Sequence, residues 1–161
     1  MRTIHKLTIA ILLFASPLLA QTAHYRHEGP AILNDLTVTP GAVRTTNEAL
    51  LCPHANTKAV RHVTEAEKRQ VCKEYGVPAD RCNGKNYEID HLISLELGGS
   101  NAVANLWPEP YAGPFGARTK DRVENFAHAQ VCSGKIPLAA AQHWIAVNWY
   151  AEYRLMQGEK K

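Results

Sequence analysis

Four cysteines constrain this chain more than any other feature. Cys52, Cys72, Cys82 and Cys132 form no CxxC pair, which disfavours a four-cysteine zinc site. An even set in an exported chain reads as two disulfides. Sequence leaves three pairings open. A short local closure favours Cys72 with Cys82, leaving Cys52 with Cys132. The second bridge would then tie the N-terminal segment to a later helix.

That reading leans on export, and the first 20 residues argue for it. Arg2 and Lys6 make a positive start, residues 7–14 are apolar, and Ser16, Pro17 and Ala20 follow. This order matches a secretory signal peptide. The apolar block falls short of the roughly 20 residues a membrane span needs. Leu18 departs from the pattern, since a small residue is preferred there. No cysteine directly follows the block to take a lipid, and no later segment is long enough to cross a membrane. The expectation is a periplasmic or secreted protein with no stable membrane association after processing, monomeric by default.

Charge sets a limit on partners. The chain has 161 residues and a formal charge of +3, and losing Arg2 and Lys6 with the leader lowers it to +1. A broad basic surface is excluded, so nucleic-acid binding must rest on a local patch or a metal. The predicted organisation is a leader over 1–20, an extended lead-in over 21–47 and one globular domain over 48–161.

Local signals predict the elements. The lead-in carries Gly29, Pro30, Pro40 and Gly41 as breakers, with a short strand at 36–38. Thr64 and Glu67 make a capping-box pattern, and Gly76 stops that helix after Tyr75. Lys68, Arg69 and Lys73 sit on it, read as a solvated face or a phosphate-facing edge. Asn83-Gly84 marks a turn before a strand at 87–89. Asn105-Leu106-Trp107 reads as a returning strand ended by Pro108 and Pro110. A helix over 117–131 places Val123, Phe126, Ala127 and Val131 at helical spacing. Ser133-Gly134 ends it. A last helix over 138–153 has Leu138, Ala141, Ile145 and Trp149 as its apolar stripe, with Trp144 and Trp149 as packing residues. The order predicts an α+β fold: a β-hairpin with a helix laid against it, additional flanking helices and disulfide staples.

The chemistry concentrates in one segment. Asp90-His91 stands at a strand end, Gly98-Gly99 opens a loop, and Asn105 follows His91 by fourteen residues. With Leu92, Ile93, Leu95, Glu96, Leu97, Asn101 and the run Asn105-Leu106-Trp107-Pro108, this resembles the HNH, or ββα-metal, nuclease motif of small exported bacterial proteins. The resemblance covers residues 88–124 well. It implies an endonuclease that hydrolyses phosphodiester bonds of DNA with low sequence specificity.

The resemblance also implies roles. A neutral imidazole can take a proton from water near pH 7, so His91 is the expected general base. Asn105 is expected to hold the loop that orients it, by bonding backbone groups. Hard oxygen donors such as Asp90 suit Mg²⁺ or Mn²⁺, which would stabilise charge on the leaving oxygen. Asp90 and His91 alternate in a regular strand, so they share a site only if the strand ends or bends there.

The helix departs from the family pattern. Residues 116–120 contain neither His nor Asn where a further ligand belongs. Asp121 or Glu124 is the expected substitute ligand, with Glu124 on the face of Lys120. Lys120 and Glu124 share a helix face, read as a surface ion pair or as ligand plus phosphate clamp, with Arg118 the second clamp and Lys120 counted among the catalytic groups. Glu96 is read as solvent-facing and His128 as too distant. If no carboxylate reaches a metal, the alternative is a non-catalytic envelope or secreted binding protein of the same fold. No GxSxG or HExxH pattern supports another common hydrolase class.

Overall fold

The computed structural model describes residues 24–52 and 57–159, so the predicted leader lies outside the described residues. Among the described residues the architecture is α+β, with two small antiparallel sheets and four α-helices. Strands β1 (Arg26–Glu28) and β2 (Ala31–Leu33) pair first. The short α1 (Thr57–Val60) and α2 (Glu65–Glu74) follow. Strands β3 (Tyr87–His91) and β4 (Leu106–Pro110) make the second hairpin, and α3 (Ala117–Cys132) and α4 (Leu138–Met156) close the chain. Among the described residues, no helix is long and apolar enough to cross a membrane.

The lead-in is the first correction. It is not a loose extension, and residues 36–38 form a turn rather than a strand. Asp35 causes the turn: its Oδ1 accepts from the Thr37 backbone N–H at 2.8 Å and from the Thr37 hydroxyl at 2.6 Å. The strands lie earlier, on either side of Gly29-Pro30. This segment covers the outer edge of β4. The Tyr25 hydroxyl donates to Pro108 O at 2.8 Å and the Thr39 hydroxyl to Leu106 O at 3.0 Å.

Those contacts explain a second correction. Pro108 and Pro110 do not end β4 but lie within it. They face Ile89 and Tyr87. The bonds from Leu92 N to Asn105 O and from Tyr111 N to Asn86 O make the alternate pairs the hydrogen-bonded ones. Both prolines therefore sit at positions where an N–H would point away from β3, so none is missed.

The predicted local signals form as local physics dictates. Thr64 and Glu67 complete the capping box of α2. Asn83 bonds the backbone N–H groups of Lys85 and Asn86 to make its turn. The stripe of α4 is buried throughout, from Leu138 to Trp149, against Val123, Ala127 and Val131 of α3. Phe126 leaves that face and stands 38% exposed, because it lies beyond the buried arc of α3. Both disulfides match the favoured pairing: Cys72–Cys82 closes α2 onto the following turn, and Cys52–Cys132 ties the end of α3 to the segment before α1.

Candidate functional site

The site is built at the end of β3, where the strand stops at His91. The loop that follows is held by one amide. Asn105 Oδ1 accepts from Ile93 N at 3.0 Å and from Ala42 N at 3.2 Å. Its Nδ2 donates to Ile93 O at 3.0 Å and Ser100 O at 2.8 Å. All four capacities used here serve backbone groups, so the loop returns in one conformation. The loop's glycines are needed for different reasons. Gly98 takes φ +80°, while a Cβ on Gly99 would stand 1.8 Å from Ile93 O.

His91 is 2% exposed, and its Nε2 lies 2.9 Å from Asn101 Oδ1. The orientation of Asn101 is set independently. Its Nδ2 donates to Val60 O at 2.8 Å, and its Oδ1 accepts from the His62 N–H at 3.2 Å. The oxygen therefore faces His91, and the neutral imidazole carries its proton on Nε2. Nδ1 is left with a lone pair and no partner among the described residues. Burial holds the imidazole below its ordinary pKa, against the opposing pull of Asn101 and Asp90. It is neutral near pH 7.

The carboxylates turn the other way. Asp90 Oδ2 accepts from Lys120 Nζ at 2.6 Å, His91 O accepts from the same nitrogen at 2.9 Å, and Glu124 Oε1 takes its third proton. Lys120 is 1% exposed. The Lys120–Glu124 pair forms as the spacing allowed, but it is buried and not on the surface. Arg118 points away from the cluster and lines a surface cavity of about 600 Å³.

One ammonium cannot balance every acid here. Glu109 of β4 is 1% exposed and takes a proton from no donor; its carboxyl lies against that of Asp90, to which it can donate once protonated. Burial pushes Glu109 well above the ordinary carboxylate range, with Asp90 and Glu124 adding to the effect against Lys120. Burial raises Glu124 to about 8 in spite of Lys120. For Asp90 burial also works upward, but Lys120 outweighs it and holds the carboxylate low. Burial alone would lower the Lys120 ammonium, yet Asp90, Glu124 and Glu109 hold it well above its usual value. The charge pair near pH 7 is Asp90 with Lys120.

This arrangement bears on metal binding. Asp90 and Glu124 do converge, but on Lys120 Nζ, which fills the point a cation bound to both would take. The imidazole of His91 does not join them; its backbone carbonyl does. Among the described residues, no group of three or more His, Cys, Asp or Glu side chains is arranged to hold a metal ion. As folded, the donor pair does not fit Mg²⁺ or Mn²⁺, because a Lys already holds it.

Two contributors carry no signal of their own in the sequence, and a third, Asn101, belongs to the motif but is not marked there as the partner of His91. Glu109 lies between two prolines and is buried by tertiary packing. Arg61 stands close enough to His91, Glu88 and Asp121 to act on the ionisation of all three. Glu96 is half-buried toward α3, not solvent-facing, and burial raises its pKa. His128 bonds Leu51 O at 3.1 Å, away from the cluster. Compared with models of protein families, with curated proteins and with solved structures, the chain matches none.

Proposed function

We propose that this protein is an exported endonuclease of the HNH type, with a ββα core made by β3, β4 and α3 and with His91 as general base. The observation that carries this reading is the state of the imidazole. Asn101 holds the Nε2 proton, burial keeps the ring neutral, and the Nδ1 lone pair is free to accept a proton from water. Asp90 favours the imidazolium that would form. Asn105 keeps the loop, and with it the ring, in register. Nδ1 is shielded from solvent here, so a local opening must bring water to it. The pairing of all four cysteines fits an oxidising compartment.

A second reading has its own observation. Lys120 occupies both expected ligands, which favours a non-catalytic protein of the same fold that binds a partner. One experiment separates the two. The oxidised protein is incubated with plasmid DNA in Mg²⁺, in Mn²⁺ and in EDTA. The nuclease reading expects nicking that falls about 10²- to 10⁴-fold in His91→Ala, the usual contribution of a general base. The EDTA arm reads metal dependence directly. Equal nicking by His91→Ala, or none under any condition, overturns this reading and leaves the binding protein in its place.

A further inference from the structure

We propose that a basic groove running from α2 across Tyr111 to the first turn of α3 binds an extended single strand of nucleic acid. This deepens the nuclease reading and rests on it for the choice of polymer; the binding itself can be measured without cleavage.

The groove is two adjoining cavities. One, of about 550 Å³, lies between α2 and β3 and is lined by Arg61, Lys68 and Arg69. The other, of about 600 Å³, is lined by Lys85 and Arg118. Gly84 and Tyr111 line both, so the two are continuous. Five cationic side chains line this track against two acids, Glu65 and Glu88, with the exposed Asp121 as a third acid near Arg61 and Arg118. Glu65 is spent on Lys68 at 2.7 Å. Glu88 lies beside the Tyr111 hydroxyl, half-buried, and burial raises its pKa. A chain whose total charge is only +3 has thus gathered a surplus of positive charge in one concavity. Local surplus of this kind tracks a phosphate backbone when the whole protein does not.

Two further features point to the same ligand. The N-cap of α3, Gly116, lines the second cavity and supplies no side-chain cap, so the positive end of the dipole of a 16-residue helix lies at that cavity. One wall of the groove also reaches toward the proposed catalytic residue, which itself lines neither cavity. Arg61 acts on the ionisation of His91, and it follows Val60, whose carbonyl is clipped to Asn101.

The choice of a single strand comes from Tyr111. This ring is 39% exposed at the junction of the two cavities. An exposed aromatic between two cationic basins is a stacking platform, and it can serve only a base that is not already stacked in a duplex. Duplex reading instead needs a helix or ribbon that enters the major groove. Here the cations lie in a concavity on the body of the protein.

The test uses fluorescence anisotropy in EDTA, with the purified oxidised protein and a labelled oligothymidylate of about 16 nucleotides, at the upper end of such site sizes. A blunt duplex of equal length and inorganic polyphosphate are the comparison ligands. The expected result is preference for the single strand, weakening steeply with salt. Arg69→Glu and Lys85→Glu should each weaken binding and shallow the salt slope by about one. Tyr111→Ala should cost the single strand about tenfold and the duplex nothing, the size of one base–ring stack. Lys135→Glu changes the net charge equally outside the groove and should bind as the parent does. The proposal is overturned by no binding at low salt, by equal affinity for duplex or polyphosphate, or by Lys135→Glu losing as much as Arg69→Glu. Binding by His91→Ala with no nicking by the parent would uphold the groove and overturn the nuclease reading alone. Nicking that Arg69→Glu and Tyr111→Ala leave unchanged would overturn the groove alone.

Discussion

The two ends of the β3–β4 hairpin region use the same ingredients to opposite effect. At the His91 end, cation and carboxylates are sealed inside: Lys120 gives all three of its protons to Asp90, Glu124 and a carbonyl. Along the groove, Arg61, Arg69, Lys85 and Arg118 stand in water with few acids to neutralise them. Burial makes the first set a structural clasp between strand and helix. Exposure leaves the second set free for a ligand. The lesson is that a Lys in a suggestive motif and a Lys in a bland helix can exchange roles once burial is assigned.

The disulfides give the largest way to probe this contrast. Cys52–Cys132 anchors the buried side across 80 residues, and Cys72–Cys82 staples the groove wall across 10. Loop-closure entropy predicts a loss of about 4–5 kcal/mol for Cys52→Ser with Cys132→Ser, and about 3 kcal/mol for Cys72→Ser with Cys82→Ser. Urea unfolding of the two double variants checks the order. Equal losses would mean that chain closure does not set the order.

Next is the clasp itself. Lys120→Met strands the Asp90 carboxylate without its counter-charge, removes the donor to Glu124 and should cost about 3–5 kcal/mol at pH 7. Loss of less than about 1 kcal/mol in urea unfolding would show that the cluster is wet and weak. Adding Mn²⁺ to this variant sharpens the point. Restored stability would show that the freed carboxylates can hold a divalent ion, and no change would show that they cannot.

A smaller effect follows from titration. Glu124 is raised to about 8 when folded, against an ordinary value of 4.5. The folded state then holds the extra proton between those values, so stability is fully present below about 4.5 and is lost as pH rises toward 8. Asp90, held low, works the other way and loses its contribution as pH falls below its ordinary 3.8. Stability should therefore peak in the weakly acidic range. Glu124→Gln should flatten the decline between pH 5 and 8 in urea midpoints; an unaltered slope would assign the decline to other groups.

Smallest of all is the groove. Arg69 is exposed and Lys85 lies in an exposed turn. Charge reversal at either should move stability by no more than about 0.5 kcal/mol, while removing Lys120 costs several times that. A large loss at Arg69→Glu would make the groove part of the scaffold and erase the contrast.

Much of the fold was legible because its causes are local. The Thr64–Glu67 box, the Asn83 turn and the apolar stripe of α4 each need only near neighbours, and each formed. The short loop between Cys72 and Cys82 was legible for the same reason. The lead-in misled because Asp35 makes its turn with a side chain, while Tyr25 and Thr39 find partners far along the chain on β4. Phe126 misled because helical spacing marks a face without saying where its buried arc ends.

The sequence by itself determined which chemistry is present: an Asp-His pair at a strand end, an amide at Asn105 that holds the loop, and helices on either side. Tertiary structure alone decided which of those groups face each other and which face water. It turned Lys120 inward onto Asp90, placed Glu109 beside them, set Asn101 against His91 and gathered Arg61, Arg69, Lys85 and Arg118 along one groove. The physical reason is that the ionisation and availability of a polar group depend on its dielectric surroundings and on partners thirty or more residues away, which no local pattern encodes.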